Sequence, residues 1–134
     1  MHSTPFKVVI ADDSARLRDH LRESLDALEG IQVTGCATDG EEALALVRQL
    51  KPDALVLDVR MPRASGFRVM EELRESNELP VVIVCTNHPF PEYKARAMAL
   101  GATHFVDKGK DLGLVPDLVR GLAANIQRGR PDDH

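Results

Sequence analysis

The sequence predicts an α/β fold in which five strand–helix repeats, (βα)5, form a doubly wound, five-stranded parallel sheet. Three short apolar runs are rich in β-branched residues and lack polar alternation, as is typical of strands covered on both faces. Segments with helical spacing of apolar residues separate these runs. Neither a linker nor a repeat divides the sequence, so we expect a single domain over residues 1–128.

The predicted strands are of two kinds. Three are the continuous apolar runs Val8–Ala11, Ala54–Leu57 and Val81–Cys85. The run Ile31–Cys36 alternates between apolar and polar or small residues, which favours a half-covered edge strand. The segment Thr103–Val106 fills the fifth position before the last helix.

Five segments carry the apolar stripe of an amphipathic helix. Ser14 is a candidate N-cap for the first, and Asp39 with Glu42 three positions later resembles a capping box for the second. No such pattern extends over residues 129–134, which we expect to be a disordered tail. In chain order, the segments run from Ser14 to Gly30, Asp39 to Pro52, Phe67 to Leu73, Pro91 to Leu100 and Val115 to Ile126.

The composition, with 43% hydrophobic and 28% charged residues, is that of a soluble globular protein. The net charge is −4 and no basic block is present, so we expect no direct nucleic-acid partner. Neither a signal peptide nor a membrane-spanning run is recognisable, which predicts a cytoplasmic protein without a membrane partner. Cys36 and Cys85 lack metal-ligand spacing and are expected to be small buried apolar residues.

Polar side chains follow the central strands at the points where these end. They are Asp12 and Asp13 after the first strand, Asp58 after the third, Thr86 after the fourth and Lys108 after the fifth. Ligands of open parallel sheets bind beyond the carboxyl ends of the strands, where these groups would meet. A lone residue of each type is ordinarily a cap, a strand residue or a solvated charge, and it is the coincidence of all five that indicates a site.

Three carboxylates at one edge would repel each other unless a cation lay among them. Mg²⁺ suits this place because it accepts carboxylates, waters and phosphate oxygens together. Asp58 could then attack phosphorus to give an acyl phosphate, while Lys108 and Thr86 bind the phosphoryl oxygens.

The five residues, together with the segment DVRMPRASG from Asp58 to Gly66, resemble the response-regulator receiver family of bacterial two-component signalling. The resemblance extends from about Lys7 to Ile126. It implies a flavodoxin-like or CheY-like sheet with strand order 2-1-3-4-5. Because the tail is too short for an output domain, we expect a stand-alone receiver. We also expect a phospho-accepting signalling domain and not a multiple-turnover enzyme.

The resemblance also implies roles for individual residues. Asp58 would accept the phosphoryl group from a sensor histidine kinase or a histidine phosphotransfer protein, and Lys108 would clamp that group. Thr86 and Phe105 would be the switch residues that remodel the face of the fourth helix, fifth strand and fifth helix for a downstream protein; a phosphorylation-dependent homodimer through that face stays open. The implied Mg²⁺ ligands are the carboxylates of Asp12, Asp13 and Asp58 and the backbone carbonyl of Arg60.

Two positions depart from the family pattern. Gly109 stands where many receivers have Pro after the Lys, which leaves the geometry of the last loop open. Asn87 stands where Ala or Gly is usual, and its larger side chain would obstruct the water that hydrolyses the acyl phosphate. We therefore expect slow autodephosphorylation, with Arg60 as a second residue that tunes its rate.

Three alternatives remain at this level. The chain could be a Mg²⁺-dependent phosphohydrolase, although Arg60 stands where haloacid-dehalogenase-type phosphatases place their general acid. It could be a receiver-like scaffold that binds partners without phosphorylation, although none of the acids nor the Lys is lost. Phe105 could pack permanently in the core and switch nothing.

Overall fold

The computed structural model of the chain describes residues 4–129, and all five predicted strands are present. They form one sheet in which every neighbouring pair is parallel. The order is β2-β1-β3-β4-β5, which confirms the doubly wound topology. The strands are β1 (Phe6–Ala11), β2 (Ile31–Ala37), β3 (Ala54–Leu57), β4 (Val81–Thr86) and β5 (His104–Asp107).

All five predicted helices are also found, with one addition. A single-turn helix, α5, and the 3₁₀ turn Leu112–Leu114 lie between β5 and the last predicted helix, which is therefore α6. So short a segment shows no apolar periodicity by which a sequence pattern could reveal it. The helices are α1 (Ala15–Asp26), α2 (Gly40–Leu50), α3 (Gly66–Glu75), α4 (Pro91–Ala99), α5 (Lys108–Asp111) and α6 (Val115–Gly129).

The boundaries of two helices differ from the sequence pattern. α1 ends at Asp26 rather than near Gly30, which has a φ of 79° and lies in the turn where its carbonyl accepts a hydrogen bond from the Phe6 N–H (2.8 Å). α6 extends through Gly129, the first residue of the expected tail. The rest of that tail, residues 130–134, lies outside the described residues.

Two apolar layers enclose the sheet, one on each face. α1 and α6 cover one face, where Leu21 and Val119 pack against Ile10. α2, α3 and α4 cover the other face, where Met70 packs against Leu55. Because β1, β3 and β4 are covered on both sides, the runs Val8–Ala11, Ala54–Leu57 and Val81–Cys85 within them are apolar, as predicted.

α4 is poorly buried for a helix of nine residues. Only Ala97 of its nine residues is buried, and its N-cap residue, Phe90, provides no side-chain cap. Its contacts with α3 run along the protein surface: Arg96 Nη2 lies 2.7 Å from Glu71 Oε1, and Arg74 Nη1 donates a 2.7 Å hydrogen bond to the carbonyl of Ala99. Hydrophobic burial alone therefore holds α4 less firmly than its neighbours.

Both cysteines are free. Cys85 is buried, as expected, whereas Cys36 is only partly buried at the edge of the sheet. Burial raises the pKa of the Cys85 thiol to about 12, which makes it unreactive. Among residues 4–129, no helix is both long and apolar enough to cross a membrane.

Candidate functional site

The carboxyl edge of the sheet brings together four of the predicted site residues, Asp12, Asp13, Asp58 and Lys108. The Asp12 N–H donates to the Ala37 carbonyl (3.0 Å) and the Asp58 N–H to the Ala11 carbonyl (2.9 Å), so both residues continue the strand pairing. Lys108 begins α5 directly after β5. Strand register therefore holds the backbone of both acids at the edge, and no flexible loop intervenes.

Lys108 lies between two buried carboxylates. Its Nζ is 2.5 Å from Asp12 Oδ2 and 3.2 Å from Asp58 Oδ2. The three side chains are at most 7% exposed, so little water screens these charges. One carboxylate oxygen from each of Asp12, Asp13 and Asp58 lies within 4.8 Å of the other two.

Burial is the main influence on the Asp58 carboxyl and raises its pKa to about 6. The charge of Lys108 opposes this rise, whereas the charges of Asp12 and Asp13 add to it. For Lys108, burial lowers the pKa, but the hydrogen bond to Asp12 and the charge of Asp58 outweigh burial and leave the pKa raised. Lys108 is therefore cationic, and Asp58 is mostly ionised at neutral pH.

The donor set fits a hard divalent cation. Three carboxylates face one lysine, which leaves an excess of negative charge that a cation bound by oxygens would neutralise. Ser14 Oγ accepts the hydrogen bond from the Leu17 N–H, so Ser14, not Asp13, is the N-cap of α1. The Asp13 side chain is exposed at the rim of the site and is not used as a helix cap.

The loop after Asp58 is folded tightly against its own beginning. The Gly66 N–H donates to the Val59 carbonyl (2.7 Å), and a Cβ on Gly66 would come within 2.3 Å of the Asp58 carbonyl oxygen. The φ of Gly66 is not positive, so glycine is required here because the backbone of Asp58 approaches closely, and not because of a left-handed conformation.

A second element anchors this loop and was missed by sequence reasoning. Arg63 has a φ of 69°, a conformation that costs a residue with a side chain about 1–2 kcal/mol. Its Nη1 forms a 2.7 Å ion pair with Asp39 Oδ2, and the Asp39 side chain also caps α2 by accepting from the Glu42 N–H. The Glu42 N–H and the Arg63 guanidinium lower the pKa of Asp39 despite its burial. The start of α2 thus anchors the loop that carries Arg60.

The remaining predicted residues lie around this centre. Thr86 is fully buried and its Oγ1 accepts a 3.0 Å hydrogen bond from the His88 N–H. Asn87 is exposed and lines a cavity of about 200 Å³ together with Asp58, Arg60 and Lys108. Phe105 is partly buried against the layer of α2, α3 and α4.

The segment that contains Gly109 is well defined. The Gly109 N–H donates a 2.8 Å hydrogen bond to Asp107 Oδ1, so Asp107 caps the single turn of α5. This cap holds the segment that carries Lys108 without a proline, which resolves the geometry that the sequence left open.

A doubly wound sheet with an acidic cluster and a buried lysine at its carboxyl edge defines a class of phospho-accepting signalling domains. The response regulator receiver domain family matches residues 8–120, and the chain belongs to this family. Phosphoryl acceptance by an Asp is general to the family, and its members bind Mg²⁺ at the acidic pocket.

Known relatives agree with this assignment. The chain is 41% identical over 105 residues to a protein-glutamate methylesterase/protein-glutamine glutaminase of Symbiobacterium thermophilum, covering 78% of this chain and 29% of that protein. It is 36% identical over 121 residues to the response regulator GacA of Pseudomonas aeruginosa, covering 88% and 55%. The chain thus spans about a third to a half of these relatives.

Among solved structures, the chain is similar to one in the CheX–CheY–BeF3–Mg²⁺ complex from Borrelia burgdorferi. The TM-score is 0.80 at 27% identity, with 88% of this chain and 89% of that chain covered. The two chains therefore share most of their fold.

Proposed function

We propose that this receiver accepts a phosphoryl group on Asp58 from a sensor histidine kinase or a histidine phosphotransfer protein. The observation that carries the proposal is the buried arrangement in which Lys108 Nζ lies 3.2 Å from the Asp58 carboxylate. A carboxylate that is ionised at neutral pH is a competent nucleophile, and a neighbouring ammonium group offsets the negative charge of an arriving phosphoryl group.

The proposed transfer exchanges one bond to phosphorus for another. An Asp58 carboxylate oxygen forms a bond to phosphorus while the bond between phosphorus and the donor imidazole nitrogen breaks, and the electron pair of that bond stays on the nitrogen. Lys108 moves from carboxylate to phosphoryl oxygens as charge develops on them. Asp12 holds Lys108 in place from the other side at 2.5 Å.

The proposed magnesium ligands are the carboxylates of Asp12, Asp13 and Asp58 and the backbone carbonyl of Arg60. When bound, Mg²⁺ supplies positive charge that neutralises the acids and the incoming phosphoryl oxygens. Asp12 is preorganised for this role, because its Oδ1 accepts from the Ser14 N–H (2.9 Å) and its carbonyl accepts from Arg18 Nη1 (2.7 Å).

The proposed switch runs through Thr86 and Phe105. Thr86 is buried at the end of β4, beside the site, and Phe105 lies on the neighbouring strand β5 with partial exposure. Movement of the Thr86 hydroxyl towards the phosphoryl group would free space into which Phe105 turns. The face formed by α4, β5 and α6, which corresponds to the fifth predicted helix, would then bind a downstream protein.

The proposal is tested by intact-mass spectrometry after incubation with acetyl phosphate. We expect the addition of one phosphoryl group per chain in the presence of Mg²⁺ and none after chelation with EDTA. No addition under either condition would favour the phosphorylation-independent scaffold. Addition that is equal with and without Mg²⁺ would contradict the proposed metal site.

Asn87→Ala is expected to shorten the lifetime of phosphorylated Asp58 several-fold. Asn87 lines the same small cavity as Asp58 and Lys108, so its side chain occupies the side from which hydrolytic water would approach. The lifetime is measured as the loss of phosphorylated mass over time after removal of acetyl phosphate. Gln49→Ala, which truncates an exposed amide on α2, is the control. An unchanged or longer lifetime in Asn87→Ala would remove the proposed obstruction.

A further inference from the structure

Arg60 lies at the boundary between two cavities. It lines the small acidic cavity together with Asp58 and Lys108. It also lines a larger open cleft of about 570 Å³ between the loop after β3 and helix α4, where Tyr93 and Arg96 are its neighbours. Arg60 therefore borders both cavities.

In this structure Arg60 is directed to the α4 side. Its Nη2 donates a 3.2 Å hydrogen bond to Tyr93 Oη, and the guanidinium carbon lies 5.9 Å from the centre of the Tyr93 ring. Arg96, in the same cleft, instead forms a 2.7 Å ion pair with Glu71. Among the described residues Arg60 forms no ion pair with a carboxylate, although Asp13 lines both cavities.

The partner of Arg60 is thus a neutral phenol, which is a weak acceptor for a guanidinium. A hydrogen bond between two ionised groups is about twice as strong as one with a neutral partner. In addition, the oxygens of a phosphoryl group can accept two parallel hydrogen bonds from one guanidinium. An anion on Asp58, two residues away along the chain, is therefore a stronger partner for Arg60 than Tyr93.

Tyr93 links the choice of partner by Arg60 to the position of α4. Its ring contacts Phe67 of α3 edge-on, with centroids 5.4 Å apart, and Phe90 at the start of α4, with centroids 5.3 Å apart. α4 buries only Ala97 and lacks a side-chain N-cap, so the ring contacts of Tyr93 help to position its first turn.

From these observations we propose that Arg60 is a phosphoryl-contact residue whose resting partner is Tyr93. On phosphorylation its guanidinium leaves Tyr93 Oη and binds the phosphoryl oxygens, which removes one of the contacts that hold the first turn of α4. This inference rests on phosphorylation of Asp58, and it adds a route from the site to α4 that does not pass through Thr86 or Phe105.

The chain carries its own reporter for this exchange, because it contains one tyrosine and no tryptophan. Intrinsic fluorescence therefore reports on Tyr93 alone. We expect that adding BeF3 to the Mg²⁺-bound protein, as a stable phosphoryl analogue, changes the fluorescence of the wild type. The change is expected to persist in the control Arg68→Gln, which alters an exposed arginine on α3, and to fall to the Mg²⁺-only baseline in Arg60→Gln. Fluorine NMR confirms that BeF3 is bound.

A double-mutant cycle on the rate of phosphorylation gives a second measurement, which needs no bound analogue. Tyr93→Phe removes the resting hydrogen bond but keeps the ring, so it is expected to raise the rate of phosphorylation by acetyl phosphate about two- to ten-fold, the equivalent of one hydrogen bond. In an Arg60→Gln background the same substitution is expected to have no effect on that rate.

Two results would overturn the inference without touching the proposed function. One is an equal fluorescence change in Arg60→Gln and wild type. The other is an equal effect of Tyr93→Phe in both backgrounds. Failure of phosphorylation itself appears separately, as the absence of any added mass on the wild-type protein.

Discussion

Asp58→Asn is expected to abolish phosphorylation by acetyl phosphate, with no added mass at times when the wild type is fully modified. The amide has nearly the shape of the carboxylate but is not a competent nucleophile towards phosphorus. The substitution leaves Lys108 paired, because Asp12 Oδ2 lies 2.5 Å from its Nζ. Loss of phosphorylation would therefore show that Asp58 is the acceptor, because the rest of the site keeps its structure in the variant.

Asp117→Asn is the matched control for this experiment, because Asp117 is an exposed carboxylate on α6 that does not line the acidic cavity. It is expected to be phosphorylated as fast as the wild type. Circular dichroism of both variants checks that each is folded. Retained phosphorylation of Asp58→Asn would show that another group is the acceptor, and peptide mapping would then identify it.

Asp58→Asn is also expected to stabilise the metal-free protein at pH 7.5. Burial and the neighbouring acids raise the pKa of Asp58 from 3.8 to about 6, so the folded state binds more protons than the unfolded state between these values. The free energy of unfolding therefore falls as pH rises from about 4 to about 6, and above that range the buried, ionised Asp58 carboxylate destabilises the fold in full. Removing the charge is expected to raise the free energy of unfolding by about 1–3 kcal/mol.

Urea unfolding followed by circular dichroism in EDTA measures this difference. At pH 7.5 the midpoint of Asp58→Asn should exceed that of the wild type, and below about pH 4, where wild-type Asp58 is protonated, the two should converge. Asp117→Asn should follow the wild type throughout. A lower midpoint for Asp58→Asn at pH 7.5 would show that its attraction to Lys108 outweighs the cost of burying it.

In the presence of Mg²⁺, we expect the wild type to be more stable than Asp58→Asn, which is the reverse of the order in EDTA. A ligand that binds only the folded state stabilises it by about 2.7 kcal/mol at a hundred times its dissociation constant. The wild type has the three-carboxylate cluster, whereas Asp58→Asn lacks one of its members. Mg²⁺ is thus expected to raise the midpoint of the wild type more than that of the variant. Equal increases would contradict a metal site that includes Asp58.

Sequence reasoning predicted the fold because a buried parallel strand appears in the sequence as a short, continuous run of apolar residues. β3 was predicted with its observed bounds, since all four of its residues are apolar and buried on both faces. The helix α5 could not be predicted in this way, because its four residues are too few to show the apolar periodicity by which amphipathic helices are recognised.

The juxtaposition of Asp12, Asp58 and Lys108 was predictable for a topological reason. In a doubly wound sheet every parallel strand ends at the same edge, so residues that directly follow neighbouring strands must meet. The structure brings these three together as expected. The roles of Thr86, Asn87 and Phe105 stay predictions, because they concern movements that follow phosphorylation.

The sequence by itself therefore determined the sheet, its two covering layers and the position of the acidic site, because these depend on apolar periodicity and on which residues end each strand. Only the tertiary structure decided the side-chain pairs Arg63–Asp39 and Arg60–Tyr93, whose members are 24 and 33 positions apart. Each pair depends on how a loop and a helix from different repeats lie together in space. A local pattern of residues carries no information on such contacts, because long, exposed arginine side chains can reach many acceptors and packing alone selects one.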